Sequence, residues 1–290
     1  MRRKPAASVR RAQPGFALLL VLWGLLLIGL IAAAFLHETR LGTTFARTTV
    51  ENAKAEQLAE AGVQRAFLGL LDDNPATAWR ADGRLYRFAL GEGTVAVRVE
   101  DEGGKIDLNQ ANAVTLGRLF RAAGVDPDAA RRLADAILDY VDRDAVRRTA
   151  GAEDPDYGAA GLQHAAKDAP FERKEELLNV LGMTRAIYDT IAPGVTVYGG
   201  ENELNRATAP ELVLRAMPDI TARELQRIMA ARNGPAPPGG AQIEVVTIRA
   251  DASTKGGGHF LREVVARHGG SAGTPFQILD WRQKWQMPSS

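Results

Sequence analysis

Acidic side chains crowd one short stretch of this 290-residue chain: Asp135, Asp139, Asp142 and Asp144, then Glu153, Asp154 and Asp156. On a helix the first three share a face, with Asp144 near the helix end, and like charges at that spacing repel. Something must offset them. Calcium suits the ligand type, since it is held by roughly six to eight oxygens. A solvated acidic face balanced by Arg143, Arg147 and Arg148 accounts for the same residues, and no EF-hand spacing decides between the two. Other chemistry is scarce. The absence of cysteine removes disulfides, thiolate metal sites and thiol nucleophiles. The histidines His37, His164, His259 and His268 form no H-x-x-x-H pair. There is no G-x-S-x-G elbow, and "KGGGH" from Lys255 lacks the strand-to-helix setting of a phosphate loop. An enzyme is not expected. Trp79, Trp281 and Trp285 suit a core or an interface.

The elements that carry these acids begin with an apolar run. From Phe16 to Leu36 every residue is apolar or glycine, 21 in all, long enough for a bilayer of about 30 Å. Arg2, Arg3, Lys4, Arg10 and Arg11 precede it with no acid among them, so the positive-inside bias keeps this end cytoplasmic. A secretory signal with a small-residue site at Ala32-Ala33-Ala34 and a plain signal anchor are both conceivable, but neither explains a helical pattern that continues beyond the apolar run. Past Leu36 no proline occurs until Pro75, and apolar residues recur at helical spacing from Leu41 to Leu71. The pattern predicts one helix of about 50 residues, uniformly apolar below and amphipathic above.

Alternation predicts strands at Arg84 to Leu90 and Thr94 to Glu102 joined by "GEG", and at Gln242 to Asp251, Gly258 to His268 and Pro275 to Trp285. Helix plus antiparallel strands gives an α+β layer fold. Between the strand groups lies a helical interval whose only strand signal is "GVTVYGG". It contains an echo, "KIDLNQANAVTLGRLF" against "ENELNRATAPELVLRAM", with Asn112 and Thr208 placed as helix caps. Such units resemble helix-hairpin-helix modules, but two of the three hairpins, "AGVDPD" and "MPDITA", put aspartate where phosphate would approach. With a net charge of +1 as well, nucleic acid is not an expected partner. The stretch "NGPAPPGGA", 233–241, reads as a linker back into the sheet.

A basic leader ending in Gly15, then Phe16, an apolar run and a continuous amphipathic helix resemble the type IV pilin and pseudopilin class. The resemblance implies cleavage between Gly15 and Phe16 by a prepilin peptidase, with methylation of the new terminus. Most members carry glutamate at the fifth mature position, where it pairs with the terminal ammonium of the subunit ahead. Here that position is Leu20. Its absence, the inserted helices and "ILDWRQ" near the carboxyl end are similar to the K-type minor pseudopilins of type II secretion. That family implies a pilin-like long helix packed on an antiparallel sheet with an inserted all-α domain. The expected parts are a removed leader (1–15), a transmembrane segment (16–36), the amphipathic helix and first strands (37–105), the insert (106–235) and closing strands (236–290). It implies calcium in the insert, and among the acids there Asp142, Asp144, Glu153, Asp154 and Asp156 are the expected ligands. It also implies a single-pass inner-membrane protein with its globular part periplasmic, capping a pseudopilus tip. The implied partners are I-type and J-type minor pseudopilins, the inner-membrane secretion platform and exported substrate. The competing reading is a membrane-anchored helix-hairpin-helix DNA receptor of the competence kind.

Overall fold

The computed structural model describes residues 14–200, 203–232, 234, 243–269 and 275–284, without the side chains of 14–17 and 34–44. The leader up to residue 13, Trp285 and all of the expected linker except Gly234 lie outside the described residues. With Pro14 tolerated in the first turn and no further proline before Pro75, the backbone ladder runs unbroken through α1 (Pro14–Leu70, 57 residues). Its upper part buries Ala55, Ala59, Val63 and Ala66, a stripe stepped by three and four residues. These side chains are small, so the helix lies close to its partner. A Cβ added at Gly62 would stand 2.7 Å from Val95 Cγ1.

That partner is a sheet. β1 (Asp82–Leu90) and β2 (Gly93–Asp101) form the expected hairpin. The chain then leaves through β3 (Ile106–Asp107), α2 (Ala113–Ala122), α3 (Pro127–Val141), α4 (Asp154–Ala159), α5 (Arg185–Ile191), β4 (Val195–Thr196), α6 (Glu211–Ala216) and α7 (Ala222–Arg232). It returns as β5 (Val245–Thr254), β6 (His259–His268) and β7 (Phe276–Lys284). The five long strands pair antiparallel in the order β1-β2-β5-β6-β7, so strands far apart in sequence, β2 and β5, are neighbours. Two cores result. One joins α1 to the sheet through Val95, Val97, Val99, Ile248 and Ala250. The other is built from 106–229 around Leu116, Phe120, Ile137 and Tyr157.

The "GVTVYGG" signal shrinks to β4, which pairs in parallel with β3 and ties the segment after α5 back to the start of the helical interval. Asn112 caps α2 as expected, its side-chain oxygen accepting from Thr115 N at 2.9 Å. Thr208 does not cap α6. Pro210 takes the cap position, and the Thr208 hydroxyl donates instead to Asp101 Oδ2 at 2.7 Å.

The sheet face away from α1 carries charge and meets the helical part across ion pairs. Lys105, at 2% side-chain exposure, pairs with Glu100 at 2.8 Å and Glu102 at 2.6 Å. Arg249 joins Glu100 to Glu263, while Lys284 reaches Glu175 and Glu263. Lys174 is the odd member, donating to the Ala192 carbonyl at 3.1 Å with Lys105 and Arg249 alongside. Burial, and then those two cations, bring its pKa down to about 8. A folded pKa below the unfolded one means charged Lys174 opposes folding, a penalty relieved as pH climbs from about 8 toward 10.5. Lys174→Met is therefore expected to be more stable than the wild type at pH 7 by about 2 kcal/mol, with the gain fading by about pH 10. Denaturant midpoints measured across pH check this.

Candidate cation site

α3 presents the first acids. Pro127 opens it and Asp126 caps it, accepting from Asp128 N and Ala129 N at 3.0 and 3.2 Å. The hairpin before it turns at Gly124 with φ +85°. The carboxylate of Asp126 thus occupies the helix terminus where a phosphate would bind.

Leu133, Ala134, Ile137 and Tyr140 of α3 face the core. The helix stops at Val141 and Asp142 leaves it with extended backbone, so the three-acid helical face holds only for Asp135 and Asp139. The returning chain offsets their repulsion. Ala150 N donates to Asp135 Oδ2 at 3.1 Å, and Arg148 N to Asp139 Oδ2 at 3.1 Å. Arg148 Nη1 reaches Asp139 Oδ1 at 2.5 Å and also Asp142 Oδ2. Gly151 makes the close approach possible, since a Cβ there would fall 1.9 Å from Asp139 Oδ2.

The loop then delivers Glu153 as the cap residue of α4, its backbone N donating to Asp156 Oδ2 at 3.0 Å. Asp142, Asp144 and Glu153 come together, each offering a carboxylate oxygen within 4.8 Å of the others. Asp154 and Asp156 border the same cleft of about 350 Å3 but are engaged elsewhere. Asp154 Oδ1 accepts from Ala166 N at 3.1 Å, and Asp156 Oδ1 pairs with Arg147 at 2.9 Å. Asp168, which sequence reasoning missed, lines the cleft from the opposite segment with φ +54°, left-handed backbone that non-glycine residues seldom adopt.

Two oxygens here have no hydrogen-bond partner although buried: Asp142 Oδ1 and Glu153 Oε1. Glu153 is 5% exposed. Its pKa is raised, first by burial and then by the charges of Asp139, Asp142, Asp168 and Asp144. Buried carboxylates that lack donors and repel one another suit a cation, and an oxygen-only set suits a hard one such as calcium, with ligand distances of about 2.3–2.6 Å.

At the other end of the molecule Gly15 and Phe16 lie in the first turns of α1, their side chains outside the described residues. Leu20 is exposed on the helix, as are Leu22, Trp23 and Leu26. Among the described residues no helix is long and apolar enough to cross a membrane. Of the expected span 16–36, side chains are described only for 18–33.

The family of type II secretion system (T2SS) protein K matches residues 96–200, covering β2 through β4. Type II secretion system protein K of Klebsiella pneumoniae is 28% identical over 251 residues, 76% of this chain and 75% of that protein. Protein K of Pseudomonas aeruginosa is 26% identical over 247 residues, 77% of this chain and 74% of that protein. That of Dickeya chrysanthemi is 31% identical over 121 residues, 40% of this chain and 33% of the relative. In fold the chain resembles one from the crystal structure of the GspK-GspI-GspJ complex of the enterotoxigenic Escherichia coli type 2 secretion system. That likeness has a TM-score of 0.58 and 19% identity, and covers 86% of this chain and 100% of the other. These relatives in sequence are all protein K and the fold is shared, so the chain is similar to type II secretion system protein K over 96–200 by family and over most of its length by its relatives.

Proposed function

We propose that this chain is a K-type minor pseudopilin that caps the tip of the type II secretion pseudopilus and helps to initiate its assembly, with I-type and J-type minor pseudopilins as neighbours. The observation that carries the tip position is Leu20, an exposed leucine at the fifth place after Gly15. A carboxylate there needs the ammonium of a subunit ahead, and a terminal subunit has none ahead of it. The neighbours are supported by the fold shared with a chain of the GspK-GspI-GspJ complex. The role is assembly, with α1 held in the inner membrane by its apolar run and the rest periplasmic. On joining the fibre, α1 exchanges lipid for other helices. The same surfaces would meet the inner-membrane platform and exported substrate. Labelled full-length chain in assembled pseudopili should appear at one end only; label along the shaft would overturn the reading.

Processing by prepilin peptidase between Gly15 and Phe16 belongs to this proposal. Mass spectrometry of the membrane-extracted chain should find an N-methylated Phe16 terminus, and an intact Met1 counts against it. Calcium belongs to it as well. Asp142, Asp144 and Glu153 would hold the ion, with Asp154, Asp156 and Asp168 on the cleft wall. When bound, calcium would supply positive charge at the unpartnered oxygens of Asp142 and Glu153 and pin the loop 142–153 to α4, a staple for a chain without disulfides.

A further inference from the structure

We propose that Arg148 is a positioning residue for the cation site, holding one oxygen of Asp142 so that the other is left bare toward Asp144 and Glu153. The inference rests on the calcium reading and goes beyond its ligands. Arg148 is anchored at two points. Its backbone N donates to Asp139 Oδ2 at 3.1 Å and its Nη1 reaches Asp139 Oδ1 at 2.5 Å. Asp139 is wholly buried and walled by Gly151, so that anchor does not move. From it the same Nη1 bonds Asp142 Oδ2.

Fixing one oxygen of a carboxylate fixes the other. Asp142 Oδ1 is the oxygen without a hydrogen-bond partner, and Asp142 belongs to the trio whose oxygens converge within 4.8 Å. Asp142 caps the end of α3 and would otherwise swing with the loop, so a partner that stops it swinging lowers the ordering cost of binding. Arg147 is differently placed. It pairs with Asp156 with a 56% exposed side chain, an ordinary surface ion pair.

Two opposed effects make the test sharp. By simple Coulomb repulsion, removing a guanidinium beside the site should strengthen binding of a cation. By positioning, it should weaken it. Calorimetric titration of calcium alone into the full-length chain in nanodiscs is expected to show about a tenfold or greater loss of affinity in Arg148→Gln. A loss is also expected in Asp139→Asn, which leaves Asp142, Asp144 and Glu153 in place but removes both the anchor and a negative charge that acts on Glu153. Melting in chelator, measured alongside, reports the structural cost separately. Unchanged or tighter calcium binding in Arg148→Gln overturns the inference while leaving the calcium site standing. If Arg148→Gln does not fold, unchanged binding in Asp139→Asn does the same. A wild-type chain that takes up no calcium overturns both.

Discussion

In chelator, Glu153→Gln is expected to melt higher than the wild type, and in saturating calcium lower. Without a cation the Glu153 carboxylate is buried, lacks a donor at Oε1 and faces Asp139, Asp142, Asp168 and Asp144. Its folded pKa is raised, so the ionised form works against folding. The stability that the proton confers is full below the unfolded value near 4.5 and is lost as pH rises through the higher folded one. An uncharged glutamine of the same shape does not carry this penalty. With calcium present the same charge becomes a ligand, and wild type gains RT ln(1 + [L]/Kd), about 2.7 kcal/mol at a hundredfold excess over Kd. In a chain of this size that is a rise of roughly 5–10 °C, which the variant should lack. Differential scanning calorimetry with calcium and with chelator at pH 7 measures all four values. If the order of wild type and variant is the same in both, Glu153 is not a ligand.

The acids were legible and their arrangement was not. Asp142 and Asp144 are neighbours in sequence, but Glu153 joins them only because the loop 143–152 folds back along α3 and hands backbone donors to Asp135 and Asp139. Side-chain spacing on a helix says nothing of such a return. Arg148, which from sequence is one of three balancing cations, proves to bridge two carboxylates. Asp168 carries no local signal, since a left-handed aspartate is set by tertiary context. The outer scaffold read more easily because one face of each element meets a core. Alternation marks β1, β2, β5, β6 and β7 within a few residues, and the absence of proline marks α1. The helical part breaks into pieces of six to eleven residues apart from α3, with short 3₁₀ turns such as Lys174–Asn179 that have no clear period. Thr208 was misplaced for a related reason. Its hydroxyl has a stronger acceptor in the buried carboxylate of Asp101 than a helix end offers. The glycines of "KGGGH" also gain a reason, since Gly258 lies against the α1 backbone, where a Cβ would stand 2.1 Å from Glu51 O.

Lys105→Ala is expected to cost about 3–5 kcal/mol, the usual consequence of leaving a buried charge without its partner. Lys105 is the hinge pin between the sheet and the helical part. It leaves β2 through a short turn, then carries the chain into β3, and its ammonium lies between Glu100 of the sheet and Glu102. Glu102 is itself held by the Thr247 hydroxyl at 2.6 Å. Burial alone would lower the pKa of Lys105, but Glu102 and Glu100 outweigh it and raise the value. Burial alone would raise the pKa of Glu100, yet Lys105 and Arg249 bring it down to about 2. Each sign predicts its own edge of stability. The contribution of Glu100 is present above its unfolded value near 4.5 and is lost as pH falls toward about 2. That of Lys105 is present below 10.5 and is lost as pH rises through the higher folded value. Removing Lys105 should therefore lower stability across the neutral range and flatten the acid limb, because Glu100 loses the cation that depresses it most. Lys105→Met combined with Glu100→Gln and Glu102→Gln separates charge from packing. A triple variant near wild-type stability beside a crippled Lys105→Met single variant places the cost in the orphaned carboxylates, whereas a Lys105→Met near wild type beside a crippled Lys105→Ala places it in the side-chain volume. A Lys105→Ala chain whose urea midpoint at pH 7 matches the wild type would mean that the insert does not depend on this junction.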